Sequence, residues 1–363
     1  MSDRRLQGPV RVVGAGLLGA SIGLALREKG VDVILDDSSP STLRLAVDYG
    51  AGRTAQPGDE PELVVVCVPP DVTARVVAAE LTAYPGALVT DVASVKSLPL
   101  TELRELGADL SRYIGSHPMA GRERGGAVSA RADLFIGRPW VIAGHDGITY
   151  GRAAAVERLA LDLGAVPIEM TAHDHDASVA LVSHVPQLVA SLLAARLTGA
   201  ADAAVGLAGQ GLRDTTRIAS SSPELWVQIL GANAAPVSAI LTDFRSDLET
   251  VIAALADPVA PGARRAVAEA IAAGNEGVAR IPGKHGSTKH FSTLVVMVND
   301  RPGELARLLT EIGELGVNME DLRLEHSPGA QFGLAEIAVL PEVEKRLVAE
   351  LEARGWKIAG EQA

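Results

Sequence analysis

A chain of 363 residues, 47% of them hydrophobic, with a net charge of −12, is long enough for two or three domains and apolar enough for real cores. The acidic balance opposes binding to nucleic acid phosphates or anionic lipid, so neither is an expected partner, and a single cysteine, Cys67, excludes an internal disulfide or a Cys-rich zinc site. No apolar run reads as a membrane span; the polar stretch Met1 to Gly8, with Arg4 and Arg5, has no signal-peptide character and points to the cytoplasm.

Val10 to Val13 reads as a buried strand running into Gly14-Ala15-Gly16-Leu17-Leu18-Gly19, and the small and apolar spacing from Ala20 to Lys29 predicts a helix stopped by Gly30. A second strand, Val31 to Leu35, ends at Asp36-Asp37. Strand, glycines, helix and acid together form a dinucleotide fingerprint. Gly14 permits a tight turn, Gly16 lets a pyrophosphate approach, Gly19 lets helix and strand pack closely, and the helix N-terminus attracts phosphate. Leu17 and Leu18 lie on the same loop. An acid at this strand end, Asp37 or its neighbour Asp36, accepts from ribose hydroxyls and repels a 2′-phosphate, which favours NAD over NADP.

Glu62 to Val68, with Cys67 in its core, and Ala87 to Asp91 read as further parallel strands, with a helix from Val72 to Leu81 between them. Ser94, Lys96 and His117 are then expected on loops beyond the carboxyl ends of the strands, where ligands bind in such sheets. Strands at Trp140–Ala143 and Ala165–Met170 flank a helix from Gly151 to Leu163. From Asp174 the period becomes helical to about Leu197, with Asp174 or Asp176 as N-cap. His173-Asp174-His175-Asp176 reads as an acidic helix start, and no metal site is expected, because residues two apart do not share a helix face. Gly209 to Arg217 reads as a polar interruption. Pro223, capped by Ser222, starts a helix to Leu255 that is expected to bend at Pro236. The tail reads as a ferredoxin-like unit. The expected fold is therefore an α/β Rossmann-type domain over 1–171, an all-helical domain over 172–282, a linker over 283–290 and a βαββαβ-type domain over 291–363. The Ala/Leu-rich helices call for a large partner surface, which suggests a homodimer.

With those residues in view, the chain resembles the prephenate/arogenate dehydrogenases of tyrosine biosynthesis that carry a C-terminal ACT domain. The resemblance rests on the glycine loop, Asp91-x-x-Ser94-x-Lys96, His117-Pro118-Met119-Ala120-Gly121-x-Glu123, Ser183-His184-x-Pro186, and Asp214-x-x-Arg217 followed by Trp226. The segments Asp300-Arg301-Pro302-Gly303-Glu304-Leu305 and Gly316-Val317-Asn318 are similar to ACT amino-acid sensors. The resemblance implies NAD-dependent oxidative decarboxylation of prephenate to 4-hydroxyphenylpyruvate, or of arogenate to tyrosine. It implies His117 as acceptor of the ring hydroxyl proton, Ser94 as its hydrogen-bonding neighbour and Arg217 as a carboxylate anchor. His184, Gln187, Lys96, Glu123 and Asp214 are the remaining substrate-side candidates. His184 reads equally as a structural histidine; Arg217 can also form a salt bridge with Asp214 or Glu123, and the two roles can hold together. Gln187 departs from the family, which often has a second histidine there. Asp300, Gly303 and Asn318 mark an effector site, with tyrosine as the expected ligand.

Two rivals remain. A β-hydroxyacid dehydrogenase also joins a Rossmann half to a helical half but relies on a lysine in the helices, and residues 172 to 280 contain none. A non-catalytic sensor would bind NAD and an amino acid without turnover.

Overall fold

The computed structural model describes residues 4–120, 126–148, 150–281, 291–325 and 332–359. Glu123 and the expected linker over 283–290 lie outside the described residues. Two compact units are present, Met1–Ala200 with Thr215–Phe244, and Ala201–Asp214 with Arg245–Ala363.

The first unit is built on strands β1 (Val10–Val13), β2 (Val33–Asp36), β3 (Arg53–Thr54), β4 (Leu63–Val66), β5 (Leu88–Asp91), β6 (Tyr113–Pro118), β7 (Pro139–Gly144) and β8 (Val166–Thr171). They form one sheet in the order β3-β2-β1-β4-β5-β6-β7-β8. β1 to β6 are parallel, and β7 and β8 run against them. Alternate residues of a strand face opposite sides. Val10, Val12, Leu63 and Val65 accordingly enter one core and Val13, Val64 and Val66 the other. Helices α1 (Leu17–Glu28), α2 (Pro40–Asp48), α3 (Pro70–Ala83), α4 (Ser97–Glu105) and α5 (Tyr150–Asp162) connect the strands. Cys67 follows β4 rather than lying within it; its N–H donates to the Val13 carbonyl (2.6 Å) and burial pushes its thiol pKa up.

A long helix follows β8: α6 (Ala172–Val179), a π turn (Ala180–His184) and α7 (Val185–Ala195). Pro186 has no N–H and its ring would crowd the carbonyl four residues earlier, so the wider turn lets the helix pass it. The N-cap is Thr171, whose hydroxyl accepts from the Asp174 N–H (3.1 Å), and not Asp174 or Asp176 as expected. By length and composition alone this helix could cross a bilayer, contrary to the sequence reading, but His175, Asp176, His184 and Gln187 are all buried along it. The remaining helices are α8 (Asp202–Val205), α9 (Gln210–Thr216), α10 (Pro223–Ala232), α11 (Ala234–Ala256) and α12 (Ala263–Ala279). Thus much of the expected polar interruption is helical. α10 begins at Pro223 with Ser222 as cap. The chain turns by 94° between α10 and α11, at Asn233 rather than Pro236. The proline again explains the site: it has no N–H to donate to the carbonyl four residues upstream, that of Ala232, so the first helix ends there.

The tail folds as β9 (Ser292–Asn299), α13 (Glu304–Glu314), β10 (Asp321–Glu325), β11 (Phe332–Val339), α14 (Pro341–Ala353) and β12 (Lys357–Ala359). The antiparallel sheet order is β10-β11-β9-β12, a ferredoxin-like arrangement. Its core holds Val296, Leu308, Ile337, Leu351 and Trp356.

Candidate active site

The carboxyl edge of the parallel strands carries two groups of functional residues. The first is the glycine loop between β1 and α1. Gly14 has φ +98°, and a Cβ there would overlap the Cys67 carbonyl; a Cβ on Gly19 would overlap the Gly14 carbonyl. Gly16, by contrast, faces open space, and no side chain caps the start of α1, so this helix end can receive an anion. The structure separates the two acids. Asp37 accepts from the N–H groups of Ala15 and Ser39 (both 2.7 Å) and so faces the loop. Asp36 instead pairs with Arg11 (2.6 Å), which also holds Glu80 (2.8 Å). Leu17 and Leu18 are half-buried at the first turn. These residues fit a dinucleotide whose ribose meets a carboxylate.

The second group gathers around Asp91, at the end of β5. This fully buried carboxylate accepts from the Ala93 N–H (2.9 Å) and the Tyr113 hydroxyl (2.7 Å), and it pairs with the Lys96 ammonium. Burial pulls the Lys96 pKa down while Asp91 pulls it up, with the net direction downward. Burial and the Asp91 charge push the Tyr113 phenol well up. Lys96 was expected on a loop, available to substrate. Its amine is enclosed because Asp91, itself cut off from water, requires a counter-ion. Ser94 is half-buried on the short segment held at both ends by Asp91 and Lys96. Thr90 donates to Ser116 (3.0 Å), which donates to the Asp91 carbonyl (2.9 Å), tying β5 to β6 near their ends.

His117 lies within β6, paired with Val141, rather than on a loop. It is half-buried, and its Nδ1 is 2.8 Å from Nε2 of the fully buried His175. Burial, and then the neighbouring His175, Lys96 and His184, hold its pKa well below the ordinary 6.5. His175 Nδ1 is 2.8 Å from Asp176 Oδ1. The same carboxylate accepts the backbone N–H of Lys96 and of Ser97 (both 2.8 Å), so a residue of α6 caps the start of α4. Burial works against ionisation of Asp176, but the hydrogen bonds from His175, Ser97 and Lys96 prevail and its pKa is lowered.

His184, on the π turn, is buried beside Asn233 (3.1 Å) and edge-on to Trp226 (ring centroids 5.9 Å apart). Burial, partly offset by Asp176, pushes its pKa down to about 4. Asn233 also donates to the Asp176 carbonyl (2.8 Å). Gln187 is buried, bonded to Ser191 (3.3 Å) and accepting from Ser221 (3.4 Å). Arg217 is exposed on a 3₁₀ turn, Arg217–Ala219. Asp214 is exposed in the second unit and bonded by Gln210 (2.8 Å). In the tail, Gly303 has φ +90° and starts α13, Asp300 is exposed just before it, and Asn318 donates to Glu320 (2.8 Å).

His175, Asp176 and Asn233 are neighbours of His117 and His184 that the sequence motifs do not mark. One signal was present: positions 176, 180, 184 and 187 fall at helical spacing, so Asp176, His184 and Gln187 share one face of the helix.

Two family models match the chain. Residues 22–169 match the nucleotide-binding domain of prephenate dehydrogenase, and residues 171–268 match the dimerization domain of prephenate dehydrogenase. The chain is 38% identical over 359 residues to NovF of Streptomyces niveus, described as a probable prephenate dehydrogenase, covering 95% of this chain and 98% of that one. Among solved structures it is similar to prephenate dehydrogenase from A. aeolicus in complex with hydroxyphenyl propionate and NAD+, with TM-score 0.65, 25% identity, and 75% of this chain and 99% of that one covered. It is also similar to arogenate dehydrogenase from Synechocystis, with TM-score 0.61, 28% identity, and 74% and 99% covered.

Proposed function

The chain belongs to the prephenate dehydrogenase family, and on that premise we propose that it is a cytoplasmic, NAD-dependent enzyme converting prephenate to 4-hydroxyphenylpyruvate and CO2. The observation that carries the reading is a half-buried histidine with a depressed pKa, at the same sheet edge as the dinucleotide loop. The nicotinamide of NAD+ supplies the hydride acceptor. His117, neutral at working pH, takes the proton of the ring hydroxyl as hydride leaves the same carbon. The C–C bond to the ring carboxylate then breaks, and its electron pair completes the aromatic ring. The proton returns from His117 to the resulting phenolate oxygen, so no net proton is released. Ser94 donates to or accepts from the ring hydroxyl, and Arg217 grips a substrate carboxylate. Lys96 acts through Asp91, as a support for the loop.

The exposed apolar residues of α10 and α11, among them Val227, Phe244, Leu248, Ile252 and Leu255, support a homodimer. The ferredoxin-like tail supports an ACT-type effector site near Asp300, Gly303 and Asn318, with tyrosine as ligand. The decisive experiment is incubation of the full chain with NAD+ and prephenate, then with arogenate, following NADH and the aromatic product. NADH with prephenate supports the proposal, NADH with arogenate alone replaces prephenate by arogenate, and none with either overturns it. Adding tyrosine to the same assay tests the effector assignment: an unchanged rate removes it.

A further inference from the structure

We infer that Asp176 and His175 are positioning residues that hold His117 in one tautomer, with its proton on Nδ1 and Nε2 bare toward the substrate. The inference rests on the proposed dehydrogenation for its purpose, but its geometry is independent of it. The Asp176 carboxylate already accepts two backbone N–H groups, and an ionised carboxylate can only accept. His175 Nδ1, 2.8 Å away, is therefore the donor. In a neutral His175 the other nitrogen, Nε2, then carries a lone pair. The atom 2.8 Å from that lone pair is His117 Nδ1, which must donate. One anion at the start of the chain thus sets the direction of both hydrogen bonds, and His117 Nε2 is left as the acceptor.

A second carbonyl or carboxylate could have fixed His117 directly. A histidine interposed before the carboxylate adds something more. When Nε2 takes the substrate hydroxyl proton, the O–H bond breaks, an Nε2–H bond forms, and the positive charge on His117 faces a polarisable imidazole backed by Asp176. The charge is offset at a distance, so the proton is held loosely enough to return to the phenolate. Because Asp176 also caps α4 through Lys96 and Ser97, the same carboxylate keeps the Ser94 segment in register with the base. Hydrogen-bond partners on the far nitrogen of an imidazole commonly fix its tautomer.

Two variants separate the roles. In Asp176→Asn the amide NH2, at the Oδ1 position, donates to His175, while the amide oxygen, at the Oδ2 position, still accepts from the Ser97 N–H and the Lys96 N–H loses its acceptor. That reverses both hydrogen bonds and places a proton on His117 Nε2. An asparagine substitution that imposes the wrong tautomer lowers turnover by up to about 10⁴-fold in a comparable Asp–His pair. We expect kcat to fall at least about 100-fold, in the range for loss of a positioned base, with KM and NAD+ affinity little changed. In His175→Gln the side-chain oxygen can accept from His117 and the NH2 can donate to Asp176, preserving the direction. That variant is expected to keep turnover well above Asp176→Asn.

Nitrogen-15 NMR of the histidine-labelled full chain, without substrate, reads the tautomer directly. The expected result is a protonated Nδ1 and an unprotonated Nε2 on His117 in the native chain, exchanged in Asp176→Asn. A native His117 protonated at Nε2 at neutral pH overturns the inference, as does unchanged kcat in Asp176→Asn. If Asp176→Asn does not fold, the native spectrum and His175→Gln still decide it. Failure of the prephenate assay would leave the NMR result standing, so the two ideas can fail separately.

Discussion

Lys96 shows how a single residue's role depends on what encloses it. Its ammonium and the Asp91 carboxylate are both removed from water and satisfy each other, with Tyr113 as a third partner. Truncating one member of a buried pair leaves the other charged and unmatched. Lys96→Met is therefore expected to lower unfolding free energy by about 3–5 kcal/mol, measured by urea denaturation; a loss within experimental error would mean that Lys96 supports nothing. The histidines give a second expectation. The folded-state pKa of His184 is about 4, and that of His117 is well below 6.5. Below pH 6.5 the unfolded chain binds protons that the folded chain excludes, so stability falls as pH drops from about 6.5 toward 4. For His184 the slope is on the order of 1 kcal/mol per pH unit across that window. Denaturation midpoints at pH 7, 5.5 and 4.5 check this, and a flat profile would contradict it. The His117 environment that sets its part comprises His175, Lys96 and His184, with Asp91 and Asp176 behind them.

At the scale of elements, the contacts that matter are made by ends. β1 ends in the glycine loop and β5 in Asp91, β6 carries His117 just before its last residue, Pro118, and α4 begins under the Asp176 carboxylate. The closest approach is at α1, where Gly19 sits against the Gly14 carbonyl. Gly19→Ala forces helix and loop apart at the point where the phosphates would meet the helix N-terminus. The expected outcome is at least a tenfold weaker NAD+ affinity, about 1.4 kcal/mol, measured by fluorescence titration. An unchanged affinity would place the dinucleotide elsewhere. The π turn belongs at this scale too. It carries His184 past Pro186 and lets α6 and α7 remain one element, so that Asp176 and His184 both reach Asn233.

For the whole molecule, the exposed apolar residues of α10 and α11 support the proposed homodimer. Light scattering at micromolar concentration is expected to give twice the chain mass of 37.6 kDa; a monomer across the concentration range would refute the dimer. Much of this protein was determined by its sequence alone. The dinucleotide loop, the parallel strands, the helical run after Ala172 and the ferredoxin-like tail all follow from local periodicity, glycine placement and capping, which act over a few residues. The family resemblance singled out His117 from motifs that stand in linear order. Tertiary structure decided what those motifs touch. It placed His117 inside β6, turned Asp36 toward Arg11 and Asp37 toward the loop, enclosed Lys96 with Asp91, and brought His175 and Asp176 from α6 against His117. Hydrogen-bond direction and charge burial depend on neighbours tens of residues away in the chain, and no periodicity records them. That is why a candidate base could be proposed from sequence, while the residues proposed to orient it required the fold.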